Sequence, residues 1–225
     1  MNPFRISPNL QVIQTANLAK TPNYATDPLL HRDMVMSAKY SNLINAISYI
    51  TLDGFFLEFG VFQGNSINFI AGKIGDNQLI YGFDCWQGIH EDWLISQSLC
   101  DPSTSVLFKK GTWSTNNVLP KVKTNVRLIS GMFEDSLPEF CKIHFSEHAP
   151  NFTSFVHIDS DLYSSAKTIF KYIGHTFITG SVIVFDEFHA VGHEDKAFKE
   201  WLLESNHTAT LVSKTTSGQC VFIID

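Results

Sequence analysis

Short apolar runs that end on acids or glycines recur along the chain and alternate with stretches of helical period. The runs are Phe55 to Gly60, Leu79 to Asp84, Val126 to Gly131, Phe155 to Ile158 and Val182 to Phe185. Such runs, bounded by turn residues, read as strands buried on both faces, the pattern of parallel sheets. Helical spacing is expected from Pro28 towards Ile50, with Leu30, Met34, Leu43, Ile44, Ile47 and Ile50 near one face, and Asp27 placed to cap it. The polar interval Ser37 to Asn42 is a candidate break in that helix. Further helices are expected from near Ser66, from near Pro138, over Ser164 to His175 and over Ala197 to Leu203. Thr208–Ser213 and Cys220–Asp225 read as a closing hairpin, which puts an antiparallel strand into an otherwise parallel sheet. Strands alternating with helices make the class α/β. Residues 1–27, polar and with three prolines, read as an arm or flap. Residues 85–120, weakly periodic and rich in turn signals, read as an insertion near strand ends.

The segment from Phe155 to Glu187 organises the rest. Its first strand ends in Asp159 and Asp161, its second in Asp186 and Glu187, with one helix between them. A strand–helix–strand unit makes the strands parallel, so all four acids reach one rim, where ligands bind in open α/β sheets. Gathered carboxylates resist ionising together. A hard cation such as Mg²⁺ among them, or side chains turned out to water, relieves that.

A length of 225 residues with 44% hydrophobic and 17% charged content fits one globular domain, residues 1–225. A net charge of −6 argues against nucleic acid or an anionic membrane as the main partner. No apolar stretch is long enough to span a bilayer and the start lacks a signal-peptide core, so a cytoplasmic protein is expected. Cys85, Cys100, Cys141 and Cys220 form no CxxC pair, which argues against zinc; Cys141 and Cys220 read as reduced core thiols.

Glu58, Gly60, Phe62, Gly64 and Ser66 span a strand, a glycine turn and a helix start. A plain tight turn and a ligand loop both fit. The spacing Gly60-x-x-x-Gly64 is not GxGxxG, and Glu58 would repel phosphate but attract a cationic ligand. Asp84, ending the next strand, could accept ribose hydroxyls. Trp86, Trp93 and Trp113, with His90, Glu91 and Asp92, could line an acceptor pocket or pack the insertion. His189 and His193 are loop histidines, either candidate bases or without a role.

These stretches are similar to the macrocin O-methyltransferase family (TylF/MycF/NovP-like), S-adenosylmethionine-dependent enzymes of class I. The resemblance is carried by LEFGVFQGNS (57–66), YGFDCWQGIHEDW (81–93), SGMFEDSLPEF (130–140), VHIDSDLYSSAK (156–167) and GSVIVFDEFHAVGHEDKAFKEW (180–201). It implies a three-layer, Rossmann-like class I methyltransferase fold, with a mostly parallel seven-stranded sheet and an antiparallel last strand. It implies that residues 58–66 hold the methionine part of S-adenosylmethionine, with Glu58 towards its ammonium or sulfonium end. Asp84 would hold the ribose, and Gly131, Met132 and Phe133 would lie near adenine. It also implies Mg²⁺ on Asp159, Asp186 and Glu187, with Asp161 as general base, although many relatives have Asp-Asp where this chain has Asp186-Glu187. Residues 1–50 would form an arm and helical lid, and an arm of this kind suits a homodimer. The implied reaction is methyl transfer to a hydroxyl of a small molecule, a sugar of a natural product or glycan.

Two rival readings stand beside it. A nicotinamide-dependent dehydrogenase suits Asp84 but not the glycine spacing or Glu58. A non-catalytic protein could keep the fold alone.

Overall fold

A computed structural model describes residues 3–14, 28–96, 105–145 and 152–225, with the backbone alone for 28–35 and 96. The Asp27 cap, the side chains of Leu30 and Met34, and Cys100 lie outside the described residues. In chain order the elements are β1 (Phe4–Ile13), α1 (Pro28–Ser48), β2 (Phe55–Phe59), α2 (Asn65–Ile74), β3 (Ile80–Asp84), β4 (Trp93–Ser96), β5 (Ser105–Phe108), β6 (Val126–Ser130), α3 (Phe133–His144), β7 (Thr153–Ile158), α4 (Tyr163–Ile173), β8 (Val182–Phe185), α5 (Glu194–Ser205), β9 (Ala209–Thr215) and β10 (Cys220–Ile224).

One sheet runs β1-β9-β10-β8-β7-β2-β3-β6. The pairs β2–β3, β2–β7, β3–β6 and β7–β8 are parallel, and β10 runs antiparallel to both β8 and β9. This is the class I methyltransferase sheet, with its antiparallel last strand. It has eight strands rather than the expected seven, because residues 4–13, expected as irregular arm, form β1 and pair in parallel with β9, Phe4 opposite Ala209. Pro8 fits because the register shifts between Ile6 and Gln11 and because β1 is an edge strand.

Period-two alternation divides the sheet between two helix layers. Leu57, Phe59, Phe83, Val156, Ile158, Ile183, Phe185 and Phe222 face one layer, where Leu137, Phe140, Ile169, Phe170, Phe198 and Trp201 come from α3, α4 and α5. Phe56, Ile80, Phe155, Val182 and Val184 face the other, with Leu43 and Ala46 of α1 and Ile67, Ile70 and Ala71 of α2. By the same alternation, Glu58, His157, Asp159 and Asp186 fall on the α1 side.

Two helices depart from expectation. The polar interval Ser37–Asn42 does not break α1, which is continuous. Lys39 and Asn42 are buried in it, and Asn42 Oδ1 accepts from Ser213 Oγ of β9 at 2.7 Å. α3 starts at Phe133, so Pro138 sits inside it, at the cost of one backbone hydrogen bond. In the insertion, β4 and β5 form a separate two-stranded ribbon. The described cysteines, Cys85, Cys141 and Cys220, are free. No helix among the described residues is long and apolar enough to cross a membrane.

Candidate active site

A cavity of about 670 Å³ opens over the carboxyl ends of β2, β3, β6, β7 and β8. That volume suits a cofactor-sized ligand. Of the residues singled out in the sequence, Gly60, Phe62, Ser66, Asp84, Gly131, Met132, Phe133, Asp159, Asp161 and Glu187 line it; Glu58, Gly64 and Asp186 do not.

The glycine wall is built by close approach of backbone rather than by room for a ligand alone. Gly60 has φ +90, and a Cβ there would run into the main-chain carbonyl of Asp159. The strand end carrying Asp159 can therefore lie against the turn after β2 only if residue 60 is glycine; Asp159 N also bonds to Phe59 O at 2.8 Å. Gly64 caps α2 with φ +80. Glu58 is fully buried behind this wall. Its oxygens take Ser66 Oγ at 3.1 Å and His157 Nδ1 at 3.0 Å. Burial raises its pKa, and the His157 hydrogen bond only partly opposes that.

Asp84 ties the next wall together. Oδ2 accepts N–H bonds from Val61 and Phe62 at 2.9 and 2.7 Å, and Oδ1 accepts from Trp86 N at 2.7 Å. Trp86 itself is core, with Nε1 donating to Phe62 O. Trp93 is buried against Phe108, so of the three insertion tryptophans Trp113 alone lines the cavity. His90 lines it too, with Nε2 3.1 Å from Ser164 Oγ. His189 and His193 do not line it; His193 Nε2 meets Leu94 O at 3.2 Å.

The acids converge as the strand–helix–strand unit requires, but they split into two groups. Ligand atoms of Asp159, Asp161 and Glu187 lie within 4.8 Å of one another, as do those of His157, Asp159 and Asp186. β7 ends at Ile158, so strand alternation does not set Asp161. Its φ of +62 does, a left-handed conformation that Asp tolerates better than most residues. Burial first, then repulsion from Asp159 and Glu194, holds the Asp161 carboxyl well above its usual range. Burial and then Asp186 do the same for Glu187.

The second group already holds a cation. Lys39 Nζ, from α1, lies 2.6 Å from Asp159 Oδ2 and 3.0 Å from Asp186 Oδ1. The Asp159 contact is a hydrogen bond. The Asp186 contact is coulombic only, because Asp186 Oδ1 has no aligned hydrogen-bond donor. Burial opposes the charge on Lys39, but Asp159, Asp186 and Glu187 outweigh it and raise its pKa well above normal. Burial would raise the Asp186 carboxyl, yet Lys39 and then His157 hold it below its usual range. Burial would lower the imidazole of His157, but Asp186 and Glu58 lift it to about 9. Lys39 carried no functional signal in the sequence. It looked like part of a polar break, and its partners lie far along the chain. Glu194 also went unassigned, although its carboxylate braces Ser160 and Glu187 from α5.

An all-oxygen set of Asp159, Asp161 and Glu187 suits a hard divalent cation. Glu187 Oε2, buried without a hydrogen-bond partner, is the orphaned acceptor such an ion would satisfy.

The family model described as methyltransferase domain matches residues 57–188. The structure of CalS11, a calicheamicin methyltransferase, is similar with a TM-score of 0.59 and 16% identity, over 92% of this chain and 88% of that one. An apo structure of CalS11, described as a TDP-rhamnose 3′-O-methyltransferase of calicheamicin biosynthesis, gives 0.58 and 16% over 92% and 89%. The O-methyltransferase NovP gives 0.53 and 17% over 82% and 78%. No curated protein sequence matches the chain. At such identities the likeness shows the fold.

Proposed function

Because the chain belongs to the methyltransferase-domain family, we propose that it is an S-adenosylmethionine-dependent, Mg²⁺-dependent O-methyltransferase acting on a hydroxyl of a small molecule, a sugar of a natural product or glycan. The motifs quoted above support kinship with the macrocin O-methyltransferases. The observation that carries the reading is that one cavity brings the turn after β2, Asp84 and the residues after β6 together with Asp159, Asp161 and Glu187.

S-adenosylmethionine supplies an electrophilic methyl on a sulfonium, so the weak partner is a neutral hydroxyl. The turn 60–66 would hold the methionine part, Asp84 the ribose, and Gly131, Met132 and Phe133 the adenine. Asp84 keeps acceptor capacity for this on Oδ1, which takes one N–H, whereas Oδ2 already takes two. Glu58 acts from behind the wall, fixing Ser66. A divalent ion supplies Lewis acidity towards the hydroxyl. Asp159 and Glu187 would hold it from the cavity side. Asp161, in the cavity lining beside Asp159 and Glu187, would take the hydroxyl proton. Trp113 and His90, in the cavity lining, would offer an apolar ring face and a polar edge to the acceptor.

Calorimetric titration with S-adenosylhomocysteine and with NADH, followed by methyl-transfer assays on sugar nucleotides including TDP-rhamnose and on sugar-bearing metabolites, tests this reading. Binding of S-adenosylhomocysteine and methyl transfer to an acceptor oxygen are expected. Binding of NADH instead, or of neither ligand, would refute it.

A further inference from the structure

α1 reaches the acids through one side chain. Strand alternation points Asp159 and Asp186 towards the α1 layer, and the buried stripe of α1 presents Lys39 there between Ala38 and Asn42. The ammonium bridges the ends of β7 and β8. It does not saturate them, because Asp186 Oδ1 and Glu187 Oε2 remain buried without hydrogen-bond partners. Lys39 also lines the cavity, so its stem has room to move away from the acids. Among the described residues, the anchors of α1 beyond Lys39 are apolar or pair with β9, as Asn42 does.

We propose that Lys39 is an exchangeable resident cation: it and a divalent ion compete for Asp159 and Asp186, so ion binding frees Asp186 as a ligand and releases the Lys39 turn of α1 from the cavity wall. This rests on the reading that the carboxylates bind a divalent ion. An ammonium within 3.0 Å of Asp186 and an ion on the adjoining oxygens repel each other across a poorly screened distance. A flexible lysine stem yields more easily than a strand end. Without the ion, Lys39 compensates the acids and holds α1 down. With it, the same carboxylates are satisfied from the cavity and the helix loses its anchor to the acids, keeping its bonds to β9.

Mg²⁺ is titrated calorimetrically, without donor or acceptor, into the wild type, Lys39→Met and Lys39→Arg, while hydrogen exchange across residues 36–48 is followed in EDTA and in Mg²⁺. Lys39→Met is expected to bind Mg²⁺ roughly tenfold or more tightly than the wild type, and Lys39→Arg no more tightly. Mg²⁺ should speed exchange in α1 of the wild type and leave it unchanged in Lys39→Met. Asp186→Asn reads the same tether with Lys39 in place; its α1 should exchange faster already in EDTA. Equal Mg²⁺ affinities in wild type and Lys39→Met, or α1 exchange in the wild type indifferent to bound Mg²⁺, overturns the exchange and leaves the ion reading standing. Mg²⁺ binding to none of the proteins removes the ion reading and the exchange with it.

Discussion

The carboxylate of Glu194 accepts the backbone N–H of Ser160 at 3.0 Å, and its second oxygen takes the N–H of Glu187 at 3.3 Å. One side chain at the start of α5 thus fastens the loop after β7 to the end of β8, and with it the spacing of Asp159, Asp161 and Glu187. Burial and the nearby acids raise the Glu194 pKa to about 8. The folded protein therefore holds that proton more tightly than the unfolded chain does. Its contribution to stability is whole below the unfolded value and is lost as pH rises through about 8. The melting temperature in EDTA should fall across that window, and Glu194→Gln, which cannot ionise, should flatten the slope. Identical slopes would show that Glu194 is not the titrating group.

Asp161→Asn keeps the size of the side chain and removes its basicity. S-adenosylhomocysteine should bind as in the wild type, while turnover on any accepted hydroxyl falls by about 10²–10⁴. Wild-type turnover would take Asp161 out of the proton transfer. Weakened cofactor binding would move it into the donor site.

Asp84→Asn places an NH₂ group against backbone donors, since both carboxylate oxygens of Asp84 are in use. Leaving buried N–H groups unpaired costs about 1–3 kcal/mol. The turn 61–62 and the segment at Trp86 should loosen together. The expected result is a loss of S-adenosylhomocysteine affinity of roughly tenfold or more, read by calorimetry, with a smaller drop in melting temperature.

Gly60→Ala and Gly75→Ala separate strain from collision. Both glycines have positive φ, but nothing lies within 4 Å of a Cβ at Gly75, whereas one at Gly60 meets the Asp159 carbonyl. In urea unfolding, Gly75→Ala should cost about 1–3 kcal/mol from backbone conformation alone. Gly60→Ala should cost more than about 3 kcal/mol, because backbone must move. Equal costs would mean that the approach of residue 60 to Asp159 is not tight.

The central strands were legible because burial on both faces leaves no choice of residue. Phe55–Phe59, Val182–Phe185 and the acids after β7 and β8 stand out in any reading of the chain. Asp84 and the turn after β2 followed from the same logic. What escaped depends on partners distant in sequence. Lys39 and Asn42 read as interruptions of an apolar face, because a buried lysine is intelligible only once Asp159 and Asp186 are seen beside it. Asp186, expected on the ion, lies beside Lys39 and His157, neighbours that the sequence did not suggest. The start of α3 was misplaced because Pro138, a common first-turn residue, lies inside the helix. β1 escaped because Pro8 and a register shift blur its alternation.

β1 also sets an order of events during synthesis. Phe4 pairs with Ala209, so residues translated about 200 positions before β9 find their place only after it. The central strands can assemble as they emerge, but the outer edge must wait until β9 and β10 have been translated and have paired. A long closure of this kind is slow relative to local contacts. Until β1 then docks, the edge of β9 stands open to other chains, and residues 4–13 are its eventual cover.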